Sequence, residues 1–251
     1  MTTHFVLPDV QAKHGHDFSF LTSIGNYILK KKPDVIICIG DFADMESLSS
    51  YDVGKKSFEG RSYQKDLWAA REAMDALLTP MFEFNAKAKR NREKQYKPRM
   101  VLTLGNHENR INRVLNQDRK LEGLMSTDDL PYQDWEVQPF LKVIVIDGIA
   151  YSHYFTSGVK GLPVTTAQAL LNKKHMSCFA GHQQGRQIAY AKKADGTEIA
   201  AIICGSCYVH EEEYLGNQDN NHFRGLYILH NVNNGSFDEM AVPVDYIIKN
   251  Y

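Results

Sequence analysis

Short apolar runs alternate along this chain with stretches whose apolar residues recur at helical spacing. Phe5-Val-Leu-Pro-Asp-Val-Gln11 reads as a first strand ending in a carboxylate. A loop containing His14, His16 and Asp17 precedes a helix with Phe18, Leu21, Ile24 and Ile28 on one stripe. Lys30, Lys31 and Lys32 end it with cations suited to the carbonyl end of the helix dipole. Residues 35–39, Val-Ile-Ile-Cys-Ile, have the composition of a strand buried on both faces. A long loop follows over residues 42–63, holding Glu46, Ser47, Tyr51 and Asp52, and loops of that length usually carry function or short helices. Leu67, Ala70, Met74, Leu77, Leu78 and Met81 predict a long helix over residues 64–88, with Pro80 a point where it kinks or breaks. Residues 99–104 form a third strand, and helical pieces cover residues 111–125. Further strands are predicted at 142–146, 150–153 and 177–182, and two hairpins pair 188–191 with 198–204 and 225–232 with 240–248. No repeat or linker interrupts the pattern, which predicts one domain over residues 1–251.

Composition narrows the classes. The chain is 43% hydrophobic and 24% charged with a net charge of -1, as expected of a soluble globular protein without a global field toward nucleic acid or membrane. No apolar run approaches the ~18 residues of a membrane span, and the N-terminus lacks the regions of a signal peptide. Four cysteines in this length do not make a disulfide framework. Cys204 and Cys207 form a CxxC without a partner motif, so structural thiols in a reducing cytoplasm are expected. Residues 86–97 carry Lys87, Lys89, Arg90, Arg92, Lys94 and Lys97, which suits either a grip on phosphate backbones or the solvated end of a helix.

Candidate chemistry gathers where the apolar runs stop. Five strand ends carry ligand-type residues: Asp9 with Gln11, Asp41 with Asp44, Asn106 with His107, His153, and His182 with Gln184. In open α/β sheets, ligands bind at the carboxyl ends of strands. A core histidine satisfied by backbone accounts for His153 or His182 singly, but not for each lying just past an apolar run.

In this order the motifs resemble those of the calcineurin-like metallophosphoesterase family. The resemblance spans Asp9 to Gln184, and the blocks Gly40-Asp41-Phe-Ala-Asp44 and Gly105-Asn-His-Glu108 match in full. Glutamine in the first motif and Gly-Asn-His-Glu-x-Arg are similar to a subgroup carried by bacteriophages. The resemblance implies an α/β (α+β) fold, a four-layer α/β/β/α sandwich of two mixed sheets with the metal site at strand C-terminal ends. It implies two divalent ions, one on Asp41, Asn106, His153 and His182, the other on Asp9, Gln11, Asp41 and Gln184. Gln11 and Gln184 stand where the family has histidine, so the second site is expected to be oxygen-rich and weaker, with a single-metal site as the alternative. Mn2+ is expected ahead of Mg2+, Fe2+, Ni2+ or Zn2+.

The implied activity is a divalent-metal-dependent phosphoester hydrolase in which metal-bound hydroxide attacks phosphorus. His107 would protonate the leaving oxygen and Asp44 would orient it. Arg110 is read either as a holder of a phosphoryl oxygen or as a surface arginine, with Arg186 a lesser candidate; His14 and His16 are read as loop residues. The expected substrates are nucleic acid or nucleotides for a phosphodiesterase or nuclease, with a phosphomonoesterase or a non-catalytic metal-binding module as alternatives. No membrane partner is expected, and the expected location is the cytoplasm of a bacterial or phage-infected cell.

Overall fold

The computed structural model describes residues 1–50, 54, 58–211 and 222–251, so Tyr51 and Asp52 of the long loop lie outside the described residues. In chain order the first half contains β1 (Thr2–Leu7), α1 (Ser19–Lys31), β2 (Val35–Cys38), α2 (Tyr63–Asn91), β3 (Arg99–Thr103), α3 (Arg110–Gln117) and β4 (Glu136–Gln138). The second half contains β5 (Ile144–Ile146), β6 (Ile149–Ser152), β7 (Thr156–Ser157), β8 (Leu162–Pro163), α4 (Ala167–Lys174) and β9 (Ser177–Ala180). It ends with β10 (Arg186–Lys192), β11 (Glu198–Cys204), β12 (Gly225–Asn233), β13 (Ser236–Pro243) and α5 (Val244–Asn250).

Strand periodicity explains the layers. In β1, Phe5 and Leu7 face a core shared with α1 and α2, while Val6 faces a second core. Ile36 and Cys38 against Val35 and Ile37 in β2, and Leu226 and Ile228 against Tyr227 and Leu229 in β12, divide the same way. These strands belong to a six-stranded sheet of order β13-β12-β1-β2-β3-β4, parallel from β1 through β4. The other sheet has order β10-β11-β9-β6-β5. It sends Ile149, Tyr151, Phe179 and Ile202 to the shared inner core, and Cys178, Ala201 and Ile203 outward against Leu170 and Leu171 of α4. The result is a sandwich of two mixed sheets with helices outside both. All four cysteines are buried free thiols. Among the described residues, no helix is long and apolar enough to cross a membrane.

A polar tie crosses the inner core at His4. His4, fully buried on β1, has Nδ1 2.7 Å from the Tyr151 hydroxyl and Nε2 3.0 Å from Asp147 Oδ2, both in the second sheet's β5–β6 region. Both ring nitrogens thereby find partners that water would otherwise supply.

Several expectations change. Residues 240–248 are not one strand: β13 ends at Pro243, which lacks the N–H to extend a ladder, and α5 starts there and buries Val244 and Ile247. The helical stretch after residue 110 ends at Gln117, and a 3-10 turn (Arg119–Leu121) follows. β4, α4 and the β7–β8 hairpin were not anticipated by the periodicity. α2 continues through Pro80, which is buried where α1 crosses. Gly25 of α1 makes that crossing possible, because a Cβ there would collide with the Leu77 carbonyl and lie 2.9 Å from Pro80 Cγ. Gly25→Val should therefore push the helices apart and lower unfolding free energy by about 1–3 kcal/mol in urea titrations. A variant as stable as the parent would mean that the crossing tolerates a wider spacing.

Candidate metal centre

Five loops at the carboxyl ends of β1, β2, β3, β6 and β9 converge on one point between the sheets. Asp9 and Gln11 follow β1, Asp41 and Asp44 follow β2, and Asn106, His107 and Glu108 follow β3. His153 directly follows β6, and His182 stands two residues past β9. The first sheet thus brings the Asp9, Asp41 and Asn106 oxygens together with His107, and the second brings His153 and His182. Asp9, Gln11, Asp41, Asp44, Glu108 and His153 are all buried.

The geometry of His153 brings a candidate donor set together. Its Nδ1 lies 2.9 Å from the Ile39 carbonyl, so Nδ1–H donates there and Nε2 is turned toward the other loops. Nε2 lies 2.8 Å from Asn106 Oδ1 and 3.2 Å from Asp41 Oδ2, both acceptors. Three acceptor atoms facing one another require a proton or a cation among them. A neutral His182 completes the group: Asp41, His153 and His182 each place one ligand atom within 4.8 Å of the others. With the Asn106 oxygen, this makes two imidazoles, a carboxylate and an amide, a set that fits a divalent transition metal.

Charge follows from this placement. In the metal-free protein His153 holds its proton up to about 9: burial opposes this, but Asp41 and Asp9 outweigh it. Burial, reinforced by the His153 charge, lowers His182 to about 4. Its ring also packs against Tyr154, with centroids 4.8 Å apart. Asp41 is held below the usual carboxylate range despite burial, by His107 and His153. Burial raises Asp9 to about 7, with the Asp41 charge adding to it against the pull of His153.

His107 stands beside the donor set, with its Nδ1 in an ion pair with Asp44 Oδ1 and its Nε2 3.7 Å from Asp41 Oδ2. Burial lowers its pKa, yet Asp41 and Asp44 prevail and the net shift is upward. Arg110 turns inward: Nη1 donates to the Asp44 carbonyl at 2.7 Å, and Nη2 lies 3.2 Å from His107 Nε2. Arg186 is exposed and lies over the Phe223 and Tyr227 rings. His14 and His16 are exposed, and the His16 ring lies 4.7 Å from that of His210. Gln11 is buried in the left-handed region, and Gln184 accepts a hydrogen bond from the Tyr208 hydroxyl.

The sequence assigns no role to two residues that shape this centre. Lys13 Nζ lies 3.5 Å from Asp44 Oδ2, and nothing in its spacing announces that. Glu108 closes the Gly-Asn-His-Glu block, and its carboxylate is fully buried. Oε2 accepts the backbone N–H groups of Asp41 at 3.0 Å and Gly105 at 2.8 Å. Oε1 accepts the Ala43 N–H and the Tyr132 hydroxyl, each at 3.0 Å. The β2 and β3 loops are so close that a Cβ on Gly105 would collide with Asp41 Oδ1, so only glycine fits there.

No family model matches the chain, and no curated protein matches it. Among solved structures, the chain is similar to Yfce, a phosphoesterase from E. coli, over 96% of this chain and 99% of that one, with 11% identity and a TM-score of 0.38. At that level the likeness carries no functional argument, and the site is read from its own geometry.

Glu108→Gln would turn an amino group toward two of the four donors. Each donor so opposed should cost roughly 1–3 kcal/mol, seen as a lower urea midpoint together with weaker divalent-cation binding. Unchanged stability would show that the two loops hold their spacing without this carboxylate.

Proposed function

We propose that this chain is a divalent-metal-dependent phosphoester hydrolase, acting on phosphodiesters of the nucleotide type. The observation that carries this reading is an ionisable histidine beside the donor set rather than within it, with its own carboxylate behind it. A scaffold that only bound a cation would have no use for that pair.

A divalent cation on Asp41, Asn106, His153 and His182 supplies Lewis acidity, neutralises charge on phosphoryl oxygens and acidifies water. The chain's own residues do the rest. With Nδ1–H held by Asp44, protonated His107 offers its Nε2 proton to the leaving oxygen. Asp44 fixes the tautomer and stabilises the imidazolium. Once the proton has left, Nε2 can accept from Arg110 Nη2, which already lies 3.2 Å away. Arg110 also ties down the Asp44 backbone, so its role in this reading is to position the acid and its carboxylate.

The basic tract bears on substrate size. Asp66, in the first turn of α2, accepts from the Ser47 backbone and hydroxyl, near Asp44. At the other end, Tyr96 donates its hydroxyl to the Pro33 carbonyl, just before β2. The 29 residues of α2 separate these ends by about 43 Å at the usual helical rise. Lys87 to Lys97 therefore lie at the opposite ends of the strands from the candidate centre, which favours small phosphoesters, monoesters included, over a gripped polymer.

The discriminating assay compares bis-p-nitrophenyl phosphate with p-nitrophenyl phosphate under manganese, magnesium, zinc or chelator. Manganese-dependent diester cleavage that chelator abolishes is the expected result. His107→Ala should slow it by about 10²–10⁴-fold while cation binding persists. Preference for the monoester would reassign the substrate class, and an inert protein with metal bound would favour the binding module.

A further inference from the structure

Two aromatic side chains stay half-exposed beside the donor set, Tyr154 and Phe140. Tyr154 stands two residues past β6 and Phe140 two residues past β4, at the strand ends where the loops converge. Tyr154 shares its loop with His153, and its backbone is fixed there, the Ser152 hydroxyl donating to its carbonyl at 3.0 Å. The next residue, Phe155, is buried in the outer core with Leu170 and Leu171. A packed home for an aromatic ring thus lies one position away, and Tyr154 does not take it.

The Tyr154 ring lies instead against both imidazoles of the donor set. Its centroid is 4.8 Å from that of His182 and 5.7 Å from that of His153, with Phe140 at 5.6 Å. The planes meet at 44°, 57° and 81° in the same order, so none of these three rings stacks flat on it. A half-exposed ring whose neighbours are tilted or edge-on keeps face for a planar group. Its side of the centre also matters. His107, which faces the leaving oxygen in the reading above, comes from the β3 loop of the first sheet, and Tyr154 from the β6 loop of the second. Asp41 Oδ2 faces both loops, 3.7 Å from His107 Nε2 and 3.2 Å from His153 Nε2. A diester that leaves toward His107 keeps its other ester group on the side of His153 and Tyr154.

We propose that Tyr154, with Phe140 at its edge, is a specificity-determining residue on which the base of a nucleotide diester stacks, in the ester group that stays on phosphorus. This rests on the hydrolase reading above and narrows its substrates to diesters whose retained group carries a planar ring. The cation and His107 act at phosphorus and its oxygens, which all such diesters share. The ring beside them is what tells one retained group from another, because stacking adds affinity for any base.

The test compares two diesters, thymidine p-nitrophenyl phosphate and methyl p-nitrophenyl phosphate, with the manganese-loaded full chain. Both release p-nitrophenolate, so the ratio of their kcat/KM values reads the retained group. The parent should favour the thymidine ester by about 5–100-fold. Tyr154→Leu keeps apolar bulk against His182 and should bring the ratio close to one, whereas Tyr154→Phe should restore most of it. A Tyr154→Leu variant that slows both esters alike and keeps the ratio would make the ring only a prop for His182. That result would overturn this inference and leave the hydrolase reading in place, as would a parent that shows no preference. A parent with manganese bound that cleaves neither ester would remove the hydrolase reading instead. Stacking is then read by equilibrium dialysis of thymidine monophosphate and of inorganic phosphate. Tighter binding of the nucleotide that Tyr154→Leu abolishes would support the subsite, and equal binding of the two would overturn it.

Discussion

The Glu108 carboxylate is the constraint on which the rest of the centre depends. It accepts two donors from the β2 loop, at Asp41 and Ala43, and one from its own loop, at Gly105. Tyr132 donates a fourth. These bonds hold Asp41 at a φ of 49°, in the left-handed region. Such a conformation typically costs about 1–3 kcal/mol and persists only where the surroundings over-determine it. Gln11 and His182 are also left-handed, at 48° and 67°. Non-glycine strain of this kind thus falls on three of the five converging loops, where it aims ligand-type residues at one point.

Electrostatics completes the arrangement. Asp9, Asp41, Asp44 and Glu108 are buried in one region, and buried carboxylates need cations or donors to remain charged. The fold answers differently at each. Glu108 is met by neutral donors and serves as a brace. Asp44 is surrounded by His107, Lys13 and Arg110, which hold its carboxyl low against burial. Asp41 faces His153 within the donor set, and Asp9, accepting the His182 backbone N–H, has a pKa raised by burial. In the proposed reading, the carboxylate that positions the proton, Asp44, is thereby kept distinct from the one that would face a cation, Asp41.

Much of this was legible in the sequence, for physical reasons. A strand buried on both faces must be apolar throughout, so the run from Val35 to Cys38 announces itself, as does the ligand-type residue where such a run stops. Short or half-exposed elements do not: β4 leaves Glu136 and Val137 exposed, and β7 and β8 have two residues each. Pro243 ends β13 and starts a helix, a change of period within one apolar stretch. Residues that act through partners distant in the chain were not legible either. Tyr132 reaches Glu108 across 24 positions, and Lys13 reaches Asp44 only because the β1 and β2 loops run side by side.

The central claim is that the acceptors of Asp41, Asn106, His153 and His182 converge because a cation belongs among them. Diffraction from crystals grown with manganese, recorded at the manganese absorption edge, tests it most directly. The account predicts an anomalous peak within ~2.0–2.3 Å of those four side chains, at ordinary metal–ligand distances. Crystals saturated with manganese that show no peak there, with the His153 and Asp41 side chains still in contact, would contradict it.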